Sequence, residues 1–314
     1  MRILITGGAG FLGAGYALRA LARGDEVLVV DTFATSDRTA LPEDGGGLEV
    51  VEASVADGER MAALFARFRP DAVVHAAAAY KDPDDWIADA ATNVAGTIHC
   101  LRTAEAVGTR RFVYLQTALC YGKPGAAPVR EDAPLRPFTS YGISKTAGEA
   151  YALAAEGLET VSLRIANTTG PRLAVGPIPT FYARLKAGRA CFCTDAVRDF
   201  LDLEDFFALL DAALEPGAPT GAFNASTGEG HAIREVYELV AAHLGVAPGE
   251  PEIRPPADDD APVVVLDPSA AKAAFGWRPC VRFEASVTSA LAWYDAHGVR
   301  AVYSHLRAGA PSAA

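Results

Sequence analysis

The sequence predicts an α/β fold built on a doubly wound parallel sheet, with a smaller α/β lobe toward the C-terminus. Three observations carry that prediction. The apolar run "RILIT" leads directly into the glycine turn "GGAGFLG", followed by a helix-periodic stretch ending at Gly24. Short, continuously apolar runs then alternate with helix-periodic segments through "ETVSLRIAN", the rhythm of strand–helix–strand units. Beyond it, "TTGPRLAVGPIPTFYARLKAG" breaks the rhythm with Gly and Pro, which reads as departure into a second lobe.

The elements follow in order. After the first helix, "EVLVVD" is a second buried strand and "LEVVEAS" a third, with a helix over "DGERMAALFARF" and a fourth strand in "DAVVHAAA". "DWIADAATNVAGTIHCLRTAEAVG" reads as one helix whose apolar face is Ile87, Ala90, Ala91, Val94, Ile98 and Leu101, and "RRFVYLQT" as the next strand. "SYGISKTAGEAYALAAE" is helical again, and "RDFLDLEDF" reads as a strand and helix start returning to the first lobe. The expected division is 1–168, with 197–225 returning to it, and 169–314 as the smaller lobe.

Composition narrows the partners. The 314 residues are 50% hydrophobic and carry a net charge of −11 with scattered Lys and Arg, which argues against a nucleic-acid surface, since tracking phosphates needs a basic stripe. No apolar run approaches the roughly 18 residues that span a bilayer, and a strand begins at Arg2, so no membrane segment or signal peptide is expected and the cytoplasm is the default. Five cysteines lack any C-x-x-C spacing, which fits reduced thiols. Cys191 and Cys193 form a C-x-C without a second ligand cluster, so no metal is expected.

Gly8, Gly10 and Gly13 satisfy G-x-G-x-x-G, and Gly7, Gly10 and Gly13 the wider G-x-x-G-x-x-G. Either places small residues where backbone approaches a pyrophosphate at a helix N-terminus. Asp31 ends the second strand, where a carboxylate accepts both ribose hydroxyls of NAD and repels a 2′-phosphate. This predicts a Rossmann-like NAD domain; nearby Arg38 keeps NADP open.

Ligands in such sheets lie beyond the strand C-termini, which puts Thr117 at the ligand edge. Tyr141 and Lys145 are four apart on a helix, so one face presents both. An adjacent ammonium and a positive nicotinamide favour phenolate and lower the phenol's pKa, making Tyr141 a base. His75 ends an apolar strand and reads as a packed, hydrogen-bonded core histidine. In the loop that follows, Lys81 offers a cation at the substrate edge, a partner for a sugar carboxylate.

At these residues the chain resembles the extended short-chain dehydrogenase/reductase family, the NAD-dependent nucleotide-sugar epimerases and dehydratases. The carriers are "TGGAGFLG", Asp31, "VVHAAA", "NVAGT", "QTALCYG", "YGISK", "LRIANTTGPR", "VRDFLDLEDF", "FNASTGEG" and "LDPSAAKAAFGWRP". The resemblance implies that Thr117 holds the sugar 4-hydroxyl, Tyr141 removes its proton and Lys145 orients Tyr141 and the nicotinamide ribose. It implies cofactor contacts from Gly7, Gly10, Phe11, Leu12, Gly13, Asp31, Ser54, Val55, Ala76, Ala77, Asn93, Tyr141 and Lys145, and substrate contacts from Lys81, Thr117, Asn167 and Arg198. A homodimer is implied through the helices around "AATNVAGTIHCLRTAEA" and "SYGISKTAGEAYALAA".

Family members that dehydrate carry Asp-Glu after this Thr; here Ala118 and Leu119 stand there, and neither transfers a proton. The reading is therefore a nucleotide-diphosphate sugar 4-epimerase working through a 4-keto sugar, on a uronic acid or aminosugar derivative in one version. A dehydratase or C5 epimerase is the alternative, and an NAD-binding regulator without catalysis a third. Two departures stand against the family pattern. Ser54 replaces the usual adenine-contacting Asp, and Ala257 stands where a second phosphate-binding Arg is expected, with Arg254 as its candidate substitute.

Overall fold

A computed structural model describes residues 1–80, 82–125, 127–247, 249–256 and 260–299. The strands of the first half are β1 (Arg2–Thr6), β2 (Glu26–Asp31), β3 (Leu48–Glu52), β4 (Ala72–His75), β5 (Arg111–Thr117) and β6 (Glu159–Ile165). Between them run α1 (Phe11–Ala22), α2 (Gly58–Phe68), α3 (Trp86–Asp89), α4 (Thr97–Val107) and α5 (Ser140–Leu153). The second half adds β7 (Asn167–Thr169), α6 (Pro177–Lys186), β8 (Phe192–Thr194), β9 (Val197–Arg198), β10 (Phe200–Asp202) and α7 (Leu203–Leu214). It continues with β11 (Gly221–Ala225), β12 (His231–Ala232), α8 (Ile233–Leu244), β13 (Glu252–Arg254), β14 (Val263–Val264), α9 (Ser269–Phe275) and α10 (Phe283–His297).

Seven parallel strands form the main sheet in the order β11-β6-β5-β4-β1-β2-β3. The strands read as unbroken apolar runs because both faces are covered. Ile3, Ile5, Val27, Val29, Val113 and Leu115 face one core, with α1 and α7 packed over it. Their neighbours Leu4, Leu28, Val30, Phe112 and Tyr114 face the other, under α2 and α4. The chain order reverses between β1 and β4, and the crevice there is where ligands of such sheets bind.

The segment from β10 to β11 returns to this sheet. Buried Arg111 holds it, donating to the carbonyls of Ala213 (2.7 Å), Ala218 (2.8 Å) and Pro219 (2.8 Å). Ala271 and Trp277, from the second segment of the expected division, also pack into this core. A separate cluster joins α6, α8 and α10 through Phe181, Tyr182, Val236, Tyr237, Val287 and Tyr294.

The helix expected across 86–107 is α3, a π-helical segment at Ala90–Gly96, and α4. Its buried face differs from the one read off the sequence. Ile87 is 80% exposed, whereas Asp89, Asn93, Thr97 and Cys100 are buried. The wider turn of i→i+5 bonding keeps residues four apart in line, so 89, 93 and 97 face inward together.

Helix α5 starts where Thr139 Oγ1 accepts the Gly142 N–H at 3.0 Å. It lies unusually close to its neighbours at Gly148, where a Cβ would stand 2.5 Å from the Asn93 carbonyl oxygen and 2.5 Å from the Tyr114 hydroxyl. One residue on, buried Glu149 accepts from Ser162 (2.6 Å) and from Arg164 Nε (2.9 Å) and Nη2 (3.1 Å). Gly148→Ala should destabilise the fold by about 1–3 kcal/mol, the usual effect of overpacking, read as a lower midpoint in urea unfolding.

Candidate active site

The C-terminal ends of the strands open onto a cleft of about 1670 Å³. A single small-molecule pocket measures roughly 300–1,000 Å³, so this cleft has room for two ligands. Gly7, Gly10, Phe11, Leu12, Gly13, Asp31, Ser54, Val55, Ala76 and Ala77 line it at one end.

The glycine turn there follows the wider spacing. Gly7 has φ +64°, and a Cβ on Gly13 would stand 2.3 Å from the Gly7 carbonyl oxygen. Gly8 turns away, with Val29 Cγ1 2.7 Å from where its Cβ would be. Gly10 is the N-cap of α1, so the helix N-terminus and its unpaired N–H groups open at the cleft. Asp31 closes the arrangement: Oδ2 accepts the Ala9 N–H (2.9 Å), and Oδ1 accepts the Phe33 N–H (2.8 Å) and the Ser36 hydroxyl (2.9 Å). Arg38 is engaged elsewhere, donating to Pro42 O (2.7 Å) and Asp44 (2.7 Å). A turn kept small by Gly7, Ala9 and Gly10 at a helix N-terminus, with a carboxylate beyond it, fits NAD.

Thr117, Tyr141 and Lys145 line the same cleft farther along. Thr117 ends β5, and its Oγ1 accepts the Leu119 N–H at 3.2 Å, leaving its O–H to donate. Lys145 is buried, with Nζ 4.0 Å from the centroid of the Tyr114 ring, a cation–π placement. Its carbonyl accepts from Tyr114 OH (2.9 Å) and Gln116 Nε2 (3.0 Å). Asn93 stands behind the wall: Nδ2 donates to Ala79 O (2.9 Å) and Ser144 Oγ (2.9 Å), while Oδ1 accepts the Ala79 N–H (2.9 Å). It braces the cleft without lining it. His75 is the core histidine expected, bonded to Thr6 (2.8 Å) and Thr97 (3.0 Å), its pKa pushed down to about 3 by burial and then by the Lys145 charge.

The phenol behaves differently from the sequence expectation. Burial pushes the Tyr141 pKa well above its ordinary value, and the Asp89 carboxylate pushes it further. Burial also lowers the Lys145 ammonium to about 7, against the pull of Glu149. Desolvation outweighs the Tyr–Lys attraction because both groups leave water together. Bound NAD supplies a hydride acceptor and a positively charged ring to this end of the site.

Asp89 escaped the sequence reading, as did Arg172 and Arg184; all three line the cleft. Asn167 and Arg198 line it as expected. Arg198 pairs with Asp260, rather than with Asp199 or Asp202, and also donates to Val197 O at 2.8 Å. Arg254 pairs with Glu252 at 2.7 Å and lies over the Phe192 ring, outside the cleft lining. Lys81 and Ala257 fall outside the described residues. Among the described residues no group of three or more His, Cys, Asp or Glu is placed to hold a metal, and no helix is long and apolar enough to cross a membrane.

A model of the NAD dependent epimerase/dehydratase family matches residues 3–226. The chain belongs to that family. The Bordetella bronchiseptica enzyme WbmG in complex with NAD is 54% identical, with a TM-score of 0.92 and 98% of each chain covered. A second structure of WbmG, with NAD and UDP, is 53% identical at a TM-score of 0.91, covering 97% of each chain. A UDP-glucose 4-epimerase of Mycolicibacterium smegmatis is 32% identical over 94% of this chain and 98% of its own length. As in the rest of this family, the cofactor is NAD, and the parallel-sheet fold matches that of NAD-bound relatives.

Asp31→Ser should weaken NAD binding by about tenfold or more, the worth of losing charge-assisted hydrogen bonds, and narrow the preference over NADP. Titration calorimetry with each cofactor measures both.

Proposed function

We propose that this chain is a nucleotide-diphosphate sugar 4-epimerase acting on a UDP-sugar through a 4-keto sugar, with NAD retained between half-reactions. The observation that supports the reading is that Thr117, Tyr141 and Lys145 all line one cleft, which Ala118 and Leu119 line as well. UDP is supported by similarity to the M. smegmatis UDP-glucose 4-epimerase and to WbmG, which binds UDP in its complex.

In this reading Thr117 donates its O–H to the sugar 4-oxygen and Tyr141 takes the 4-hydroxyl proton. Lys145, held over Tyr114, supplies the positive charge that offsets the phenolate. Arg198, and with it Arg172 and Arg184, meets the diphosphate, where guanidinium geometry suits phosphate oxygens. Asn167 contacts the sugar diphosphate beside them. The 4-keto sugar turns over in the wide cleft so that the other face of C4 would take the hydride back from NAD, while Tyr141 returns the proton to the 4-oxygen. Ala118 and Leu119 take no proton from C5 and give none to a leaving 6-hydroxyl. The partner expected for a uronic acid was Lys81, so uronic acid and aminosugar derivatives belong in the substrate panel beside the plain hexoses.

We also propose a homodimer through α5 and the helical stretch that runs from α3 through the π-helical segment into α4. Trp86 (65% exposed), Ile87, Ile143 and Tyr151 form unpartnered apolar surface on these helices, more than isolated surface residues require.

Tyr141→Phe should keep fold and NAD affinity while lowering turnover by roughly two orders of magnitude or more, measured by epimer formation from UDP-sugars. With a substrate labelled at C4, the label should return to C4 of the same sugar and no solvent deuterium should enter at C5. Deuterium at C5 would turn the reading toward C5 epimerisation or dehydration. Sedimentation should give the mass of two chains, and Ile143→Asp that of one.

A further inference from the structure

The π-helical segment after α3 brings Asp89 inward, and its side chain meets the start of α5. Asp89 is 2% exposed, lines the cleft beside Tyr141, and hydrogen-bonds the side chain of Ser140, the residue before Tyr141. No step of the epimerisation outlined above uses it. Its carboxyl is pushed up by burial, and further by Asp85 and Asp82, which line the same wall. The phenol titrates higher still, so of this interacting pair the carboxyl loses its proton first.

The remaining groups around the phenol divide by charge. Lys145, on the same face of α5, is the cation, drawn toward the Tyr114 ring and the Glu149 carboxylate. Tyr80 packs its ring 5.8 Å from that of Tyr141, and Tyr114 on β5 adds a second phenol. His75 is neutral in its buried pocket. Asp89 is thus the carboxylate that acts on Tyr141, and Lys145, one turn along α5, is the ammonium of the same helix face. A carboxylate beside a phenol favours the protonated form, by about 1–3 pKa units at close range.

We propose that Asp89 is a positioning residue that sets the pH at which Tyr141 releases its proton, acting through its charge and not by touching substrate. The charge restrains Tyr141 from ionising until positive charge gathers at the other side of the ring. It also favours return of the proton to the phenol once that positive charge is withdrawn. Asp89 thus opposes Lys145 in setting the charge of the phenol.

The proposal rests on the reading of Tyr141 as the base, and the test separates the two. Tyrosinate ultraviolet absorbance of NAD-loaded protein is followed against pH, with Tyr141→Phe in each background subtracted to isolate Tyr141. The pH dependence of kcat is measured in parallel on the UDP-sugar that is turned over. Asp89→Asn keeps the size of the side chain and a bond to Ser140 while removing the charge. It should lower both the Tyr141 midpoint and the acid limb of kcat by about one pH unit, and Asp89→Glu should leave them near wild type. An unmoved midpoint, or a loss of kcat equal at every pH, overturns the proposal. If Asp89→Asn does not fold, Asp89→Ser takes its place; failure of both while Asp89→Glu folds would assign the carboxylate to packing alone and overturn it. A shifted midpoint without turnover of any sugar keeps this inference and removes the epimerase reading.

Discussion

The seating of α5 on β5 and β6 is the constraint on which the site depends. Three contacts define it. Gly148 lets the helix backbone close to within a missing Cβ of Asn93 and Tyr114. Tyr114 and Gln116 both donate to the Lys145 carbonyl, tying the helix to the strand that ends in Thr117. Glu149 locks its next turn to Arg164 and Ser162 on β6. A buried ion pair is weak evidence for stability, since desolvation offsets the attraction. What it supplies here is location: Tyr141, Lys145 and Glu149 share one helix face, so anchoring the last places the first two.

That anchoring explains why the spacing of the candidate residues was legible while their electrostatics were not. A four-residue interval between Tyr141 and Lys145 and a strand end at Thr117 are local facts, and so are Gly7, Gly10, Gly13 and Asp31. The sign of the Tyr141 shift is not local. It depends on burial of the whole wall and on Asp89, some fifty positions earlier in the chain, which reaches α5 only through the π-helical register of Ala90–Gly96. An α-helical period places Ile87 inward and Asp89 elsewhere; the wider turn reverses them. Arg172 and Arg184 were missed for a related reason. Arg172 ends "LRIANTTGPR" and Arg184 has no motif of its own, and neither was singled out because the cleft gathers them only after the second lobe folds against the first. Arg198 was legible through its flanking "DFLDLEDF", but its partner Asp260 was not, because it stands 62 residues on and arrives only when β14 pairs with β9.

The charges of the cleft are sorted although the chain as a whole is acidic. Asp82, Asp85 and Asp89 line it from the α3 side, and Arg172, Arg184 and Arg198 from the segments of the second half. An anionic diphosphate in a protein of net charge −11 needs such local cations, because exposed charges beyond a Debye length of about 8–10 Å are screened. On the proposed function the sorting orients the ligand, its phosphates toward the arginines, of which Arg198 is paired with Asp260, and its sugar ring toward Thr117 and Tyr141. A sugar that must expose either face to the cofactor is then held by its tail instead of by its ring.

The lack of an acid after Thr117 is part of the packing. Ala118 is 6% exposed and belongs to an apolar cluster with Cys120, Tyr121, Val129, Ala166, Val264 and Leu266, and burial pushes the Cys120 thiol up to about 12. That shift shows how strongly this surrounding opposes charge. A carboxylate at 118 would enter it beside Arg164, which is already paired with Glu149, and would cost several kcal/mol unless it stayed protonated. Leu119 lines the cleft but sits in the short turn capped by Thr117 itself, so a side chain introduced there is directed by the same hydroxyl that the chemistry uses. A general acid and base for dehydration would therefore require the second-half segments around Val264 and Leu266 to repack, and not merely two substitutions in the turn. On the proposed function, restriction to chemistry at C4 rests on the apolar cluster behind the turn as much as on Ala118 and Leu119 themselves.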